Sequence, residues 1–314
     1  MNEVPLRLGT RRSPMAITQS TGIADLLTAR TGRAVEIVGI STSGDVSKAQ
    51  LTQIGGTGVF VSTLREAMIA GRVDFAVHSL KDLPTLPAAG IELAAVAVRD
   101  DPRDALIARG GAKLADLPSG AKIGTGSMRR AAQLMLLRQD LQPVPIRGNA
   151  GTRIGKIDSG EVDAVVLAYA GLARIGRLDL VSQVFEAEEM IPAPGQGALA
   201  AECLVSRPDL IDLLSCVNDD ASRAATTAER NVLATLGAGC TAPVGAYAAG
   251  TNELRLDAIV VAVNGGAALR ASIAGPAAQA ERLGREVAAD LLARGANSFT
   301  NVSAGHLSNG DDAK

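Results

Sequence analysis

Leu8-Gly9-Thr10-Arg11-Arg12-Ser13 and Ile123-Gly124-Thr125-Gly126-Ser127-Met128-Arg129-Arg130 decide the fold. Each reads as a strand end, a tight turn and a helix start, and Gly124 follows Gly9 by 115 residues (124 − 9). A second matching pair lies downstream of each. Gly71-Arg72-Val73-Asp74-Phe75-Ala76-Val77 is echoed by Gly160-Glu161-Val162-Asp163-Ala164-Val165-Val166. Before Gly71, the residues Phe60, Leu64, Ala67 and Met68 fall on one helical face, and the glycine suits the helix end. Both halves therefore run strand, Arg-rich turn, helix, strand, helix, strand. Such alternation predicts an α/β architecture with a mainly parallel sheet in each half.

From about Asp220 the pattern changes. Val232, Leu233 and Leu236 mark a helix. Two strands, 255–263 and 268–274, flank an Asn264-Gly265 turn. Leu283, Val287 and Leu291 mark a closing helix, and a polar tail begins near Gly305. This predicts a smaller α+β unit.

Bulk properties narrow the function. The 314 residues suffice for two or three domains, and 47% hydrophobic with 20% charged residues is a globular composition. A net charge of −2 and an aromatic content of 2% argue against nucleic-acid binding. No apolar run reaches membrane-spanning length. The N-terminal MNEVPLRLGTRRS lacks a signal-like apolar stretch, and three cysteines do not make a disulfide framework, so we expect a reducing, cytoplasmic setting. His78 and His306 are the only histidines, and no cysteine pair has metal-ligand spacing, so no metal site is expected.

Three groups of residues can carry chemistry. The first is arginine at turn-to-helix junctions: Arg11 and Arg12 before Ser13-Pro14, Arg129 and Arg130 after Ser127, and Arg147 and Arg153 around Gly148-Asn149 and Gly151-Thr152. One such arginine is readily a solvated surface residue. Two matching junctions plus a third point to an anion cleft between α/β lobes, because helix N-termini and guanidinium forks both favour carboxylate or phosphate. The second is His78-Ser79-Leu80-Lys81-Asp82-Leu83-Pro84, at the carboxyl end of a buried strand, where open α/β sheets place ligands. The third is Gly237-Ala238-Gly239-Cys240-Thr241-Ala242-Pro243, a Gly-rich loop that exposes one thiol. Cys203 and Cys216 lie in apolar stretches and read as core. Two Gly-rich segments remain. Residues 54–60 read as a lid or linker, and 192–197 as a hinge or a crossover between lobes. These residues alone leave an enzyme and a binding module equally open.

The order and spacing of GTRRSPMA, GDVSKAQLTQIGGTGVF, AVHSLKDLP, RDDPRDAL, IGTGSMRR, IRGNAGTR, APGQGALAAE and GAGCTAPVG resemble the porphobilinogen deaminase family over nearly the whole chain. The resemblance implies two domains of the type II periplasmic-binding-protein kind and a smaller α+β C-terminal domain. The implied bounds are 1–98 with 197–216, then 99–196, then 217–314. It implies a dipyrromethane cofactor joined to Cys240 by a thioether. Four porphobilinogen molecules are then added head to tail with loss of ammonia, and hydroxymethylbilane is released. Asp82 resembles the family's catalytic aspartate. Ser79, Lys81, Thr125, Ser127, Arg129, Arg130 and Arg147 match cofactor contacts, while Arg11, Ser13, Gln19, Phe60, Arg153, Arg174 and Gln196 match substrate-side positions. Each pyrrole carries two carboxylates, so the growing chain is a polyanion, which accounts for clustered arginines at a net charge of −2. Loss of ammonia leaves a cationic azafulvene, and a fixed carboxylate stabilises it. One departure stands out: Gln53 and Thr57 occupy positions where many family members have lysine. The resemblance also implies a cytoplasmic monomer that hands its product to uroporphyrinogen-III synthase. A solute-binding or effector-sensing module is the alternative, but it gives Cys240 and the third unit no role.

Overall fold

Apolar alternation makes Leu6–Arg11 a strand, and Ser13 then turns the chain into a helix that has Pro14 in its first turn. The computed structural model of the chain describes residues 4–41, 58–239 and 241–300. In chain order the first lobe contains β1 (Leu6–Arg11), α1 (Pro14–Thr31), β2 (Val35–Ile40), α2 (Gly58–Ile69), β3 (Phe75–Ser79) and β4 (Ile91–Val96). The second lobe contains β5 (Asp104–Ala108), β6 (Lys122–Gly124), α3 (Met128–Leu137), β7 (Gln142–Val144), α4 (Ala150–Asp158), β8 (Ala164–Ala168), α5 (Tyr169–Arg174) and β9 (Gln183–Val184). The chain returns to the first sheet through β10 (Leu199–Leu204) and α6 (Pro208–Ser215). The third unit is α7 (Asp220–Thr235), β11 (Val244–Ala249), β12 (Glu253–Val261), β13 (Ala268–Pro276), α8 (Ala280–Ala293) and α9 (Asn297–Thr300).

The two lobes repeat one topology. Their strand orders are β2-β1-β3-β10-β4 and β7-β6-β8-β5-β9. Within them, β1 pairs in parallel with β2 and β3, and β6 pairs in parallel with β7 and β8. The antiparallel strand of each sheet, β10 or β5, is the one the chain enters after crossing from the other lobe. The expected two α/β lobes with a smaller α+β unit are thus observed. Leu8, Leu27 and Phe75 fill the first core, and Ile123, Leu134 and Val166 the second, all 0% exposed. Each such side chain stabilises the fold by roughly 1.5–3 kcal/mol. At the repeated turn, a Cβ on Gly124 would sit 2.7 Å from Ile146 Cδ1 and 3.1 Å from Val165 Cγ1, so a larger residue there would have to displace core side chains.

The two crossovers, 97–103 and 185–198, run side by side. Asp100 N donates to Gly197 O at 3.3 Å, and Ala97 N to Leu199 O at 3.0 Å. Gly197 has φ +90°, and a Cβ there would meet Asp100 O at 2.4 Å. The conformation and the close approach both demand glycine. This bears out the reading of 192–197 as a crossover.

Two expectations need correction. The third unit has three strands, not two. β11 pairs with β12, but its Val-Gly-Ala-Tyr-Ala-Ala sequence has too few branched or aromatic residues to signal a strand. Cys203 is core as expected, whereas Cys216 is only half-buried, at the end of α6. Among the described residues, no helix is long and apolar enough to cross a membrane.

Candidate active site

The residues that start the helices also aim the arginines. Ser13 Oγ accepts from Ala16 N, Ser127 Oγ from Arg130 N, and Asn149 Oδ1 from Thr152 N. Each satisfies a backbone donor that would otherwise lack a partner. Arg11, Arg129 with Arg130, and Arg153 therefore flank helix starts in both lobes. Arg153 Nε donates to Gly148 O at 2.8 Å. Burial lowers the pKa of Arg153 and the Arg130 charge adds to this, while Asp82 opposes it, which places Asp82 within electrostatic reach. Arg147 is exposed.

Below this rim lies a buried ionic centre. Asp104, at the start of β5, is 0% exposed. Arg130 Nε and Nη2 donate to its Oδ1 at 3.0 and 2.8 Å, and Arg129 Nη1 lies 2.7 Å from its Oδ2. Burial alone raises the Asp104 pKa; the two guanidinium charges outweigh that and hold it below the ordinary carboxylate range. Arg130 also donates to Val166 O and to Gln196 Oε1. Gln196, from the returning crossover, donates to Asp104 Oδ1 at 2.8 Å and accepts from Lys81 Nζ at 3.1 Å. Its single amide thereby ties the first lobe's lysine to the second lobe's arginines. Burial pulls the Lys81 pKa down to about 8, and the Arg130 charge contributes.

Arg130 is thus committed to protein partners. Arg129 Nη1 likewise donates to Ile191 O at 2.8 Å, but Arg129 Nε is buried without a hydrogen-bond partner. Arg129 lines a narrow pocket with Lys81, Ser127, Pro194, Gly239 and Val244. That pocket draws on both lobes, on a crossover and on the third unit. Cys240, next to Gly239, lies outside the described residues, as do Gln53, Thr57 and the side chain of Phe60. An unpaired buried donor beside an ammonium and a hydroxyl suits carboxylates. The residues present therefore fit a cofactor that bears carboxylates.

Asp82 ends a single 3₁₀ turn, Leu80–Asp82, directly after β3. Its carboxylate makes no hydrogen bond or ion pair among the described residues, in contrast to Asp104. Several other expected residues are engaged elsewhere. Gln19 and Ser79 bond each other, with Gln19 Nε2 to Ser79 Oγ at 3.1 Å. Thr125 Oγ1 accepts from Ser127 N. Arg174 pairs with Asp100 and donates to Gly197 O, so it joins the two crossovers. His78 faces Glu202 at 3.4 Å rather than the cleft.

Sequence reasoning missed Asp104, Glu229 and Arg99. Glu229, 0% exposed on α7, accepts from Arg99 at 2.6 and 3.0 Å, from Gly195 N and from Ala248 N. Arg99 also lies 5.5 Å from the Tyr247 ring centroid. Asp104 and Arg99 both lie in the segment RDDPRDAL, and Asp104 directly precedes the apolar run Ala105–Ala108, but neither signal showed a role. Nothing local marked Glu229.

These features define a two-lobed, anion-binding α/β protein whose third unit brings a Gly-rich loop to the pocket between the lobes. Residues 6–212 match the family described as porphobilinogen deaminase, dipyromethane cofactor binding domain, and residues 224–293 match porphobilinogen deaminase, C-terminal domain. The chain is 58% identical to a porphobilinogen deaminase of Thermobifida fusca, over 95% of this chain and 96% of that one. It is 50% identical to porphobilinogen deaminase 1 of Streptomyces coelicolor, over 94% and 97%. A periplasmic substrate-binding protein of an ABC transporter from Coxiella burnetii superposes with a TM-score of 0.43 at 17% identity, covering 70% of this chain and 94% of that one. The chain belongs to the porphobilinogen deaminase family. Membership selects the enzyme over the solute-binding alternative, and dipyrromethane is its cofactor.

Proposed function

We propose that this chain condenses four porphobilinogen molecules head to tail, with loss of ammonia, on a dipyrromethane held by Cys240, and releases hydroxymethylbilane. The observation that carries this reading is the pocket where Lys81, Ser127 and the unpartnered Arg129 Nε meet the loop that contains Cys240. When bound, the cofactor supplies an electron-rich pyrrole carbon as the growing end. Arg129, Lys81 and Ser127 hold its carboxylates, and Arg130 fixes Arg129's surroundings through Asp104. Ser79, Thr125 and Arg147 complete the cofactor side. Arg11, Ser13 and Arg153, at helix starts around the cleft, receive the incoming substrate's carboxylates, with Gln19, Phe60, Arg174 and Gln196 as the other substrate-side residues.

Asp82 is the acidic group of the reaction. The C–N bond of the substrate's aminomethyl group, protonated as the ammonium, breaks; ammonia leaves with the bonding pair, and a cation remains at the methylene carbon. That carbon bonds to the free α-carbon of the growing chain, whose ring proton is then lost to solvent. A carboxylate that forms no ion pair among the described residues is placed to stabilise the cation. The three sheets draw their strands from residues 1–98 with 197–216, from 99–196 and from 217–314, which supports division into those domains. The reading extends to a cytoplasmic monomer that passes its product to uroporphyrinogen-III synthase; the free thiols of Cys203 and Cys216 accord with a reducing setting.

Intact-mass measurement tests the assignment. The wild-type chain should carry a dipyrromethane adduct that Cys240→Ala lacks and that Cys203→Ala and Cys216→Ala retain. An adduct on Cys240→Ala protein removes the claim.

A further inference from the structure

The carboxylate of Asp82 has no hydrogen bond or ion pair among the described residues, so its position is set by the backbone of its turn. The turn is packed into the core by Leu80 and Leu83, 0% and 3% exposed. Its backbone has one internal bond, Leu83 N to Leu80 O at 3.1 Å, and one tie to the crossover, Leu80 N to Ala198 O at 3.0 Å, to which Lys81 Nζ adds its bond to Gln196 Oε1. The carbonyls on either side of Lys81 and Asp82 are held from the third unit. Arg230, half-buried on α7, donates through Nη1 to Leu80 O at 3.2 Å and to Leu83 O at 3.0 Å, and through Nη2 to Pro84 O at 2.6 Å. These three carbonyls bracket Lys81 and Asp82 on both sides.

We propose that Arg230 is a positioning residue for Asp82: it fixes the turn that carries the reacting carboxylate to the helix that ends just before the cysteine loop. α7 spans Asp220–Thr235, and Gly239, five residues after Ala234, already lines the cofactor pocket. The preceding residue, Glu229, anchors the same helix to both crossovers through Arg99 and Gly195 N. Two adjacent side chains thus set the frame in which Asp82 and the attachment loop face each other. A guanidinium suits the task because its fork reaches three acceptors from one fixed plane, which a single ammonium does not. Electrostatic stabilisation of a developing cation depends on the carboxylate being in place beforehand, so a loosened turn slows the reaction without weakening substrate binding.

The inference rests on the assignment of Asp82. The test uses holoenzyme with its adduct verified by mass, and follows single-turnover elongation. Arg230→Met keeps the length and apolar stem of the side chain and removes its donors. It should keep the adduct, leave KM close to wild type, and slow elongation by about ten- to a hundredfold. Arg230→Lys should recover part of that loss. In an Asp82→Asn background, Arg230→Met should cost little further rate, because the group it positions is already disabled. Unchanged elongation in Arg230→Met, or a loss that multiplies fully with Asp82→Asn, overturns the proposal. If Arg230→Met fails to fold, the comparison is made with Arg230→Lys, which must then show a smaller loss of rate at unchanged KM and the same dependence on Asp82. An Asp82→Asn enzyme with near wild-type elongation sinks the Asp82 assignment itself; a slow Asp82→Asn beside an unimpaired Arg230 variant sinks this proposal alone.

Discussion

Asp82 and Asp104 show how one residue type serves opposite ends. Asp104 is fully buried and paired with Arg129 and Arg130, with Gln196 donating to its Oδ1, so its charge is committed to those two arginines. Asp82, half-buried on its turn, forms no hydrogen bond or ion pair among the described residues. Asp82→Asn preserves shape and hydrogen bonding but removes that charge. We expect it to fold and carry cofactor, while elongation slows by on the order of 3 kcal/mol, about a hundredfold. Asp82→Glu retains charge displaced by about one bond length, so it should retain some activity and accumulate partly elongated chains. Counting pyrroles per enzyme by mass spectrometry checks both. Near wild-type elongation by Asp82→Asn would remove Asp82 from the mechanism.

At the scale of elements, β10, between β3 and β4, is tied to its neighbours through Glu202. This buried carboxylate accepts from Arg65 Nε and Nη2 of α2 at 2.9 and 2.6 Å and faces His78 of β3. A strand from the return path thereby holds the helix and the strand that flank it. Burial alone raises the Glu202 pKa; His78 and Arg65 outweigh it and bring it from 4.5 down to about 2. A depressed carboxyl pKa stabilises the fold above the unfolded value and loses that contribution as the pH falls toward the folded one. On the order of 3 kcal/mol should therefore vanish between pH 4.5 and about 2. Urea unfolding across that range should show the loss in the wild type. Glu202→Gln should be less stable at neutral pH and show a flatter dependence; an unchanged slope would exclude Glu202 as its source.

For the whole molecule, the governing contact is Arg99 with Glu229. It gathers both crossovers and the third unit at a single buried ion pair, with side chains 9% and 0% exposed. Removing one partner leaves a buried charge uncompensated, which costs about 3–5 kcal/mol. Glu229→Gln should lower the unfolding temperature and split the transition, with the third unit melting separately from the lobes. Calorimetry reads this directly, and a single unshifted transition would show that the lobes hold together without the pair.

Much of the architecture was legible in the chain because its signals are local. The repeated Gly-Thr-Arg turn, the Ser13 and Ser127 caps and the apolar strands each act within a few residues, and these interactions persist whatever surrounds them. The motif around Lys81 and Asp82 was legible for the same reason: a buried strand that stops at a polar turn. β11 escaped because small residues carry little strand preference, and its partner β12 supplied the pairing. What tertiary structure alone decided lies between residues far apart in sequence. Arg230 meets Leu80 across 150 positions, Glu229 meets Arg99 across 130, and Gln196 meets Lys81 across 115. Such pairings leave no periodicity or spacing to read, because a charged side chain on a helix looks the same in sequence whether it ends in water or on a distant carbonyl. Only when the sheets and crossovers are packed does burial remove the water, and each polar group must then find its partner in the fold.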